Sequence, residues 1–209
     1  MGPEHSRKSI FRSFVLADFI SLANVSFGMA AILMCIDRRA SAFTIPDPFF
    51  WIVFLFLPAA LVCDVADGLI ARRLRSQSAF GRDLDSLSDI VSFGVAPAAL
   101  GFTLGLRSFV DALVLIYFVV CGVSRLARFN ITSSLLADSV GKVKFYEGTP
   151  IPSSIIIVGV LAIAYVIGSV DEKIIFGSIG RGIYRVHLLA IIYAISGTAM
   201  VGTFRIRKP

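Results

Sequence analysis

The chain has 209 residues, of which 56% are hydrophobic and only 16% charged, with a formal net charge of +6 and a mean hydropathy of +0.84. Such a composition, with apolar runs of about twenty residues, excludes an ordinary soluble domain and indicates an all-α polytopic membrane protein. The basic excess then reads as membrane topology and attraction to anionic lipid, and no nucleic-acid partner is expected.

The opening stretch MGPEHSRKS lacks the apolar core and cleavage site of a signal peptide. Residues 1–13 are expected to form a cytoplasmic arm, with a short basic interfacial helix from Ser6 to Ser13 that dips Ile10 and Phe11 into lipid. Residues 14–209 read as one membrane domain of six transmembrane helices, near 14–36, 49–72, 83–105, 108–130, 150–170 and 186–205. The second helix continues past the bilayer through LIARRLRS. Pro58 and Pro97 fall inside spans two and three, where kinks are tolerated. Cys35, Cys63 and Cys121 lie within spans without C-x-x-C spacing and read as reduced packing residues. His5 and His187 stand singly in flanking positions and are not expected to be catalytic.

Basic residues set the orientation. The N-terminal arm, the 72–82 loop, the 125–144 region and the C-terminal tail hold most of the 20 lysines and arginines, leaving Arg38, Arg39, Arg107, Lys173, Arg181 and Arg185 for the opposite side. By the positive-inside rule both termini are cytoplasmic and the membrane is the cell membrane.

Against this apolar background four aspartates stand out: Asp64, Asp67, Asp85 and Asp89. The first two are three residues apart and the last two four apart, so each pair shares a helix face. Between the pairs lies RRLRSQSAFGRD, basic and turn-prone, which lets two antiparallel helices bring the pairs together. An aspartate at the centre of a membrane helix costs roughly 2.5–3.5 kcal/mol, and two carboxylates at ~4 Å repel by about 4 kcal/mol at an effective dielectric near 20. Cations must offset that, and oxygen-only ligation favours Mg²⁺ or Mn²⁺, with Ca²⁺ also able to occupy the site, over zinc. Gly68 and Ala71 leave a bare patch on the Asp64/Asp67 face where a flat ring or sugar can lie. Arg72 adds a fork suited to phosphate oxygens, so the group points to a nucleotide diphosphate. With a rise of ~1.5 Å per residue, the site lies on the order of 10 Å below the cytoplasmic surface.

Asp64, Asp67, Gly68, Ala71, Arg72, Gly81, Asp85 and Asp89 spell D-x2-D-G-x2-A-R-x8-G-x3-D-x3-D. This resembles, without departure, the signature of the CDP-alcohol phosphotransferases. The resemblance implies that Asp64, Asp67 and Asp85 ligate metal, in what the family builds as a two-metal site. It implies that Asp89 both ligates and serves as general base, and that Gly68, Ala71, Arg72 and Gly81 line the CDP-lipid site. The stretches LDSLSD, IVSFGVAPA, SRLARFN and FYEGTPIPSS further resemble the serine-using branch of the family. CDP-diacylglycerol as donor, L-serine as acceptor and a homodimer follow from that resemblance.

Several polar residues keep two readings. Asn24, mid-span in helix one, suits either a helix-to-helix hydrogen bond or a contact to substrate, the nucleotide of the CDP-lipid or the acceptor. Arg125 and Arg128, three apart on span four, either snorkel to lipid phosphate or bind the acceptor, one gripping a substrate phosphate and the other the serine carboxylate. Asp18 is expected at the interface. Glu147 and the GTPIP segment shape the acceptor pocket only by resemblance. Within the enzyme class, glycerol phosphate, inositol phosphate or an archaeal ether-lipid donor remain alternatives. From another class, a metal-ion transporter would spread its acids along the membrane normal, whereas these four lie at nearly one depth.

Overall fold

Backbone polar groups in a bilayer must be satisfied within the segment itself, which helices achieve turn by turn. The computed structural model describes residues 16–40, 49–74, 79–137, 145–168, 178–179, 186–202 and 205–207, and the fold is all-α. Helix α1 runs Leu16–Ala40, α2 Phe49–Leu74, α3 Ala79–Asp89, α4 Ala96–Thr103, α5 Phe109–Ala137, α6 Ile155–Val166 and α7 Leu188–Val201. A π-helical turn, Ile90–Val95, joins α3 to α4, and a 3-10 turn, Ile151–Ser154, leads into α6. Two short antiparallel ladders complete the described residues: β1 (Phe145–Glu147) with β4 (Arg205–Arg207), and β2 (Ser178–Ile179) with β3 (Val186–His187). The expected interfacial helix at Ser6–Ser13 lies outside the described residues.

Asp18–Asp37, Phe49–Ile70, Phe80–Thr103 and Phe109–Thr132 are long and apolar enough to cross a membrane. The last two spans drawn from the sequence correspond to shorter apolar helices, Ile151–Val166 and Leu188–Val201. Large apolar side chains point outward along the bundle, among them Phe19, Leu55, Val62, Ile116 and Ile163, as suits lipid solvent.

Helix α1 packs most extensively on α2, and α5 on α7. The inward stripe of α1 is Asp18, Ser21, Asn24, Gly28, Ala31 and Cys35, a spacing of three and four residues that keeps one face turned to the core. Asp18 stands at the start of the apolar span Asp18–Asp37 and is only 3% exposed, because it opens this stripe one turn before Ser21.

The third span is not one regular helix. Pro97 has no N–H to donate to the carbonyl four residues back, and the turn before it widens. Ala96 N–H accordingly bonds Val91 O, five residues back. The π turn buries Ser92, Phe93 and Gly94 directly after Asp89, and the Ser92 hydroxyl donates to Asn24 O at 2.9 Å. Gly28 makes that approach possible, since a Cβ there would stand 2.8 Å from Ser92 Cα and overlap its hydroxyl. Gly28→Ala is expected to destabilise the protein by about 1–3 kcal/mol through overpacking. Thermal unfolding in detergent reads this; a variant as stable as wild type would contradict the contact.

At the opposite end of the bundle, Ser108 and Asp111 cap α5 reciprocally: Asp111 N–H donates to Ser108 Oγ at 3.0 Å and Ser108 N–H to Asp111 Oδ2 at 3.1 Å. Buried Asp111 also accepts the His187 backbone N–H at 3.0 Å and meets its ring Nδ1 at 2.5 Å. His187 thus clasps the start of α7 to the start of α5, a use remote from the acids.

Candidate active site

Helix α2 carries Asp64 and Asp67, and α3 carries Asp85 and Asp89. Carboxylate oxygens of Asp64, Asp85 and Asp89 all lie within 4.8 Å of one another. Asp67 is not in that group. It is 6% exposed and accepts a short hydrogen bond from the Ser21 hydroxyl of α1. Asn24, fully buried on the same stripe, donates its side-chain amide to Asp89 Oδ1 at 3.2 Å. Helix α1 therefore orients one acid from each pair.

The acids open into a cavity of about 350 Å³ lined by Asp64, Asp85, Ser86 and Asp89, by Arg125, Leu126 and Phe129 of α5, and by Gly148, Pro150 and Pro152. Among the described residues that lining holds three acids and one basic side chain, Arg125. Acid repulsion is thus only partly offset, and an all-oxygen donor set of this kind could hold a hard divalent cation.

Of the other residues singled out from the sequence, Gly68 faces open space, with no atom within 4 Å of where a Cβ would stand. Gly81 sits in the first turn of α3. Ala71 and Arg72 continue α2, but their side chains lie outside the described ones. The arginine pair is divided. Arg125 lines the cavity, whereas Arg128 is exposed and donates from Nη1 to Val201 O at 3.4 Å. Sequence reasoning missed Ser21, whose partner is distant in sequence, and also the Ser86–Asn130 bond, in which the hydroxyl donates to Oδ1 at 3.1 Å. Asn130 ends the SRLARFN word, the one signal that pointed toward it.

Fold and site together define a polytopic helical membrane protein with a cluster of acids around a cavity fit for a charged head group. The family model for CDP-alcohol phosphatidyltransferase matches residues 14–198. The chain belongs to that family and is an enzyme of it. It is 35% identical to a CDP-diacylglycerol–serine O-phosphatidyltransferase of Saccharomyces cerevisiae, over 96% of this chain and 73% of that protein. A protein of the same name from Methanocaldococcus jannaschii is 33% identical, over 78% of this chain and 69% of its own length. An archaetidylserine synthase of Methanothermobacter thermautotrophicus is 34% identical, over 69% of this chain and 56% of its own.

Proposed function

We propose that the protein transfers the phosphatidyl group of CDP-diacylglycerol to L-serine, giving phosphatidylserine and CMP, in a divalent-metal-dependent reaction. The observation that carries this reading is a cavity combining three clustered carboxylates with one arginine, in a chain that aligns along 96% of its length with a serine phosphatidyltransferase.

Asp64, Asp85 and Asp89 would hold the cation, with Asp67 one turn beyond Asp64 and tied to Ser21. A bound Mg²⁺ or Mn²⁺ pair would neutralise the pyrophosphate and the departing CMP. The chain's own groups do the rest. Asp89, steadied by Asn24, takes the proton from the serine hydroxyl as that oxygen bonds to the lipid-bearing phosphorus. The bond from that phosphorus to the bridging oxygen breaks, and CMP leaves with the electron pair. Arg125 holds the serine carboxylate once it has left bulk water. A cavity of about 350 Å³ suits a small acceptor beside a phosphate better than an acyl chain. The open face at Gly68, with Ala71, Arg72 and Gly81, is assigned to the CDP portion. One domain over 14–209, a homodimer, and a cytoplasmic site in the cell membrane belong to the same reading, supported by the family resemblance and the distribution of basic residues.

The test is CMP release from CDP-diacylglycerol with serine, glycerol 3-phosphate or inositol phosphate offered in turn. Serine alone is expected to support turnover; release with another acceptor and none with serine overturns the assignment. The similarity to an archaetidylserine synthase favours a second reading of the donor, checked by replacing the acyl lipid with a CDP-linked ether lipid.

Arg125→Met is expected to raise KM for serine far more than KM for CDP-diacylglycerol. Truncating one partner of a buried charge pair costs about 2–5 kcal/mol, which corresponds to roughly thirtyfold or more in KM. Equal effects on both substrates would make Arg125 a phosphate ligand or a structural residue.

A further inference from the structure

The cavity wall formed by Gly148, Pro150 and Pro152 is fastened to the C-terminal end of α7, away from the helices that supply the acids. The last carbonyls of a helix have no donors within it, and here the wall segment and α5 use them. Thr149 N–H donates to Ala199 O at 3.1 Å, and Arg128 reaches Val201 O from α5. Gly148 has φ +73°, and a Cβ on it would stand 2.5 Å from Met200 O, 3.1 Å from Gly202 O and 3.2 Å from Ala199 O. Only glycine fits there, on conformation and on space. Directly before it, β1 pairs with β4 in the register Phe145 to Arg207, Tyr146 to Ile206 and Glu147 to Arg205. An isolated two-stranded ladder is marginal in water, but this one is anchored on both strands at its Glu147–Arg205 end, by α7 ahead of one strand and by the Gly148–Thr149 seat after the other.

The geometry points to the C-terminal strand Arg205–Arg207 as a positioning element for the acceptor side of the cavity. Pairing with β1 holds the 148–152 wall at its distance from Arg125 and the acids, without touching substrate. The nucleotide side, built on α2 and α3, does not depend on it. This inference rests on the proposed reading of the cavity as the serine site, and it gives Arg128 a role in the wall's support.

The experiment compares the full chain with one lacking residues 205–209, both in detergent or nanodiscs with CDP-diacylglycerol and serine. Truncation is expected to raise KM for serine about tenfold, equivalent to about 1.4 kcal/mol of binding, with KM for CDP-diacylglycerol little changed and kcat recovered at saturating serine. An unchanged serine KM, or equal shifts for both substrates, overturns the assignment. Should the shortened chain no longer bind CDP-lipid, it has lost its fold, and Gly148→Ala with the tail intact carries the test: the same split is expected, and a wild-type serine KM overturns it. A full chain with no serine-dependent CMP release would instead sink the proposed function. The split is then read on whichever acceptor it does use.

Discussion

Enzyme stripped of divalent cations is expected to release no CMP from CDP-diacylglycerol and serine, and added Mg²⁺ or Mn²⁺ to restore release. Asp64, Asp85 and Asp89 converge within 4.8 Å, and each carboxylate pair at ~4 Å carries about 4 kcal/mol of repulsion at an effective dielectric near 20. Arg125 is the one basic side chain among the described residues lining the cavity, too little charge for three acids and a pyrophosphate together. Charge stabilisation by a bound cation is worth several kcal/mol. Each 1.36 kcal/mol is a factor of ten in rate, so the loss should exceed roughly a thousandfold. The measurement is CMP release by metal-stripped protein in excess chelator, followed by titration with Mg²⁺, Mn²⁺ and Zn²⁺. Full turnover in chelator would overturn the metal requirement. Zinc as the best activator would overturn the argument from oxygen ligation.

Much of this site was legible because its chemistry is local. Spacings of three and four residues put each aspartate pair on one helix face, and the structure brings Asp64 of the first pair against Asp85 and Asp89 of the second. The parts that were not legible depend on which helix faces which. Asp67 turns to Ser21, on a different helix and 46 residues earlier; nothing near Asp67 in the sequence announces that partner. Arg125 and Arg128 are three residues apart and equivalent by periodicity, and only the approach of α7 to α5 places Arg128 on the Val201 carbonyl. For Asn24, both readings drawn from the sequence concerned its side chain, whereas the structure also uses its carbonyl, which accepts from Ser92. Pro97 signalled an irregularity in span three, but the widened turn falls before it, at Ile90–Val95, where the freed backbone can repack against α1. Asp18 stands at the start of its span, as its place near a helix start suggested, but its burial follows from its helix face, which that place did not show. Helix α6 stops at Val166, ahead of the end near 170 drawn for the fifth span, and two residues later Gly168 takes φ +72°. That glycine was a readable stop.

Asp89→Asn is expected to abolish transfer by at least about 10²–10⁴-fold, the usual contribution of a general base, with no recovery at high metal concentration. The substitution keeps size and removes the proton acceptor. The Asn24 amide would still lie at the position it occupies 3.2 Å from Asp89 Oδ1, so orientation is largely preserved and the loss reports on the proton. Asp64, Asp67 and Asp85 remain, and CDP-lipid affinity should fall only modestly. Asp64→Asn removes a member of the tight cluster and leaves Asp89 to accept the proton, so its defect should appear as weakened metal affinity that excess Mg²⁺ partly repairs. Asp67→Asn belongs with Asp64→Asn if Asp67 ligates when metal is bound. Should its activity follow Ser21→Ala instead, with no dependence on metal concentration, the Ser21 bond is its main duty and the ligand set is the three clustered acids. The measurement is turnover against metal concentration for each variant, alongside CDP-lipid binding. An Asp89→Asn enzyme rescued by Mg²⁺ would make Asp89 a ligand first, and the proton would then have to leave through Asp85, the remaining cluster carboxylate on the same helix face.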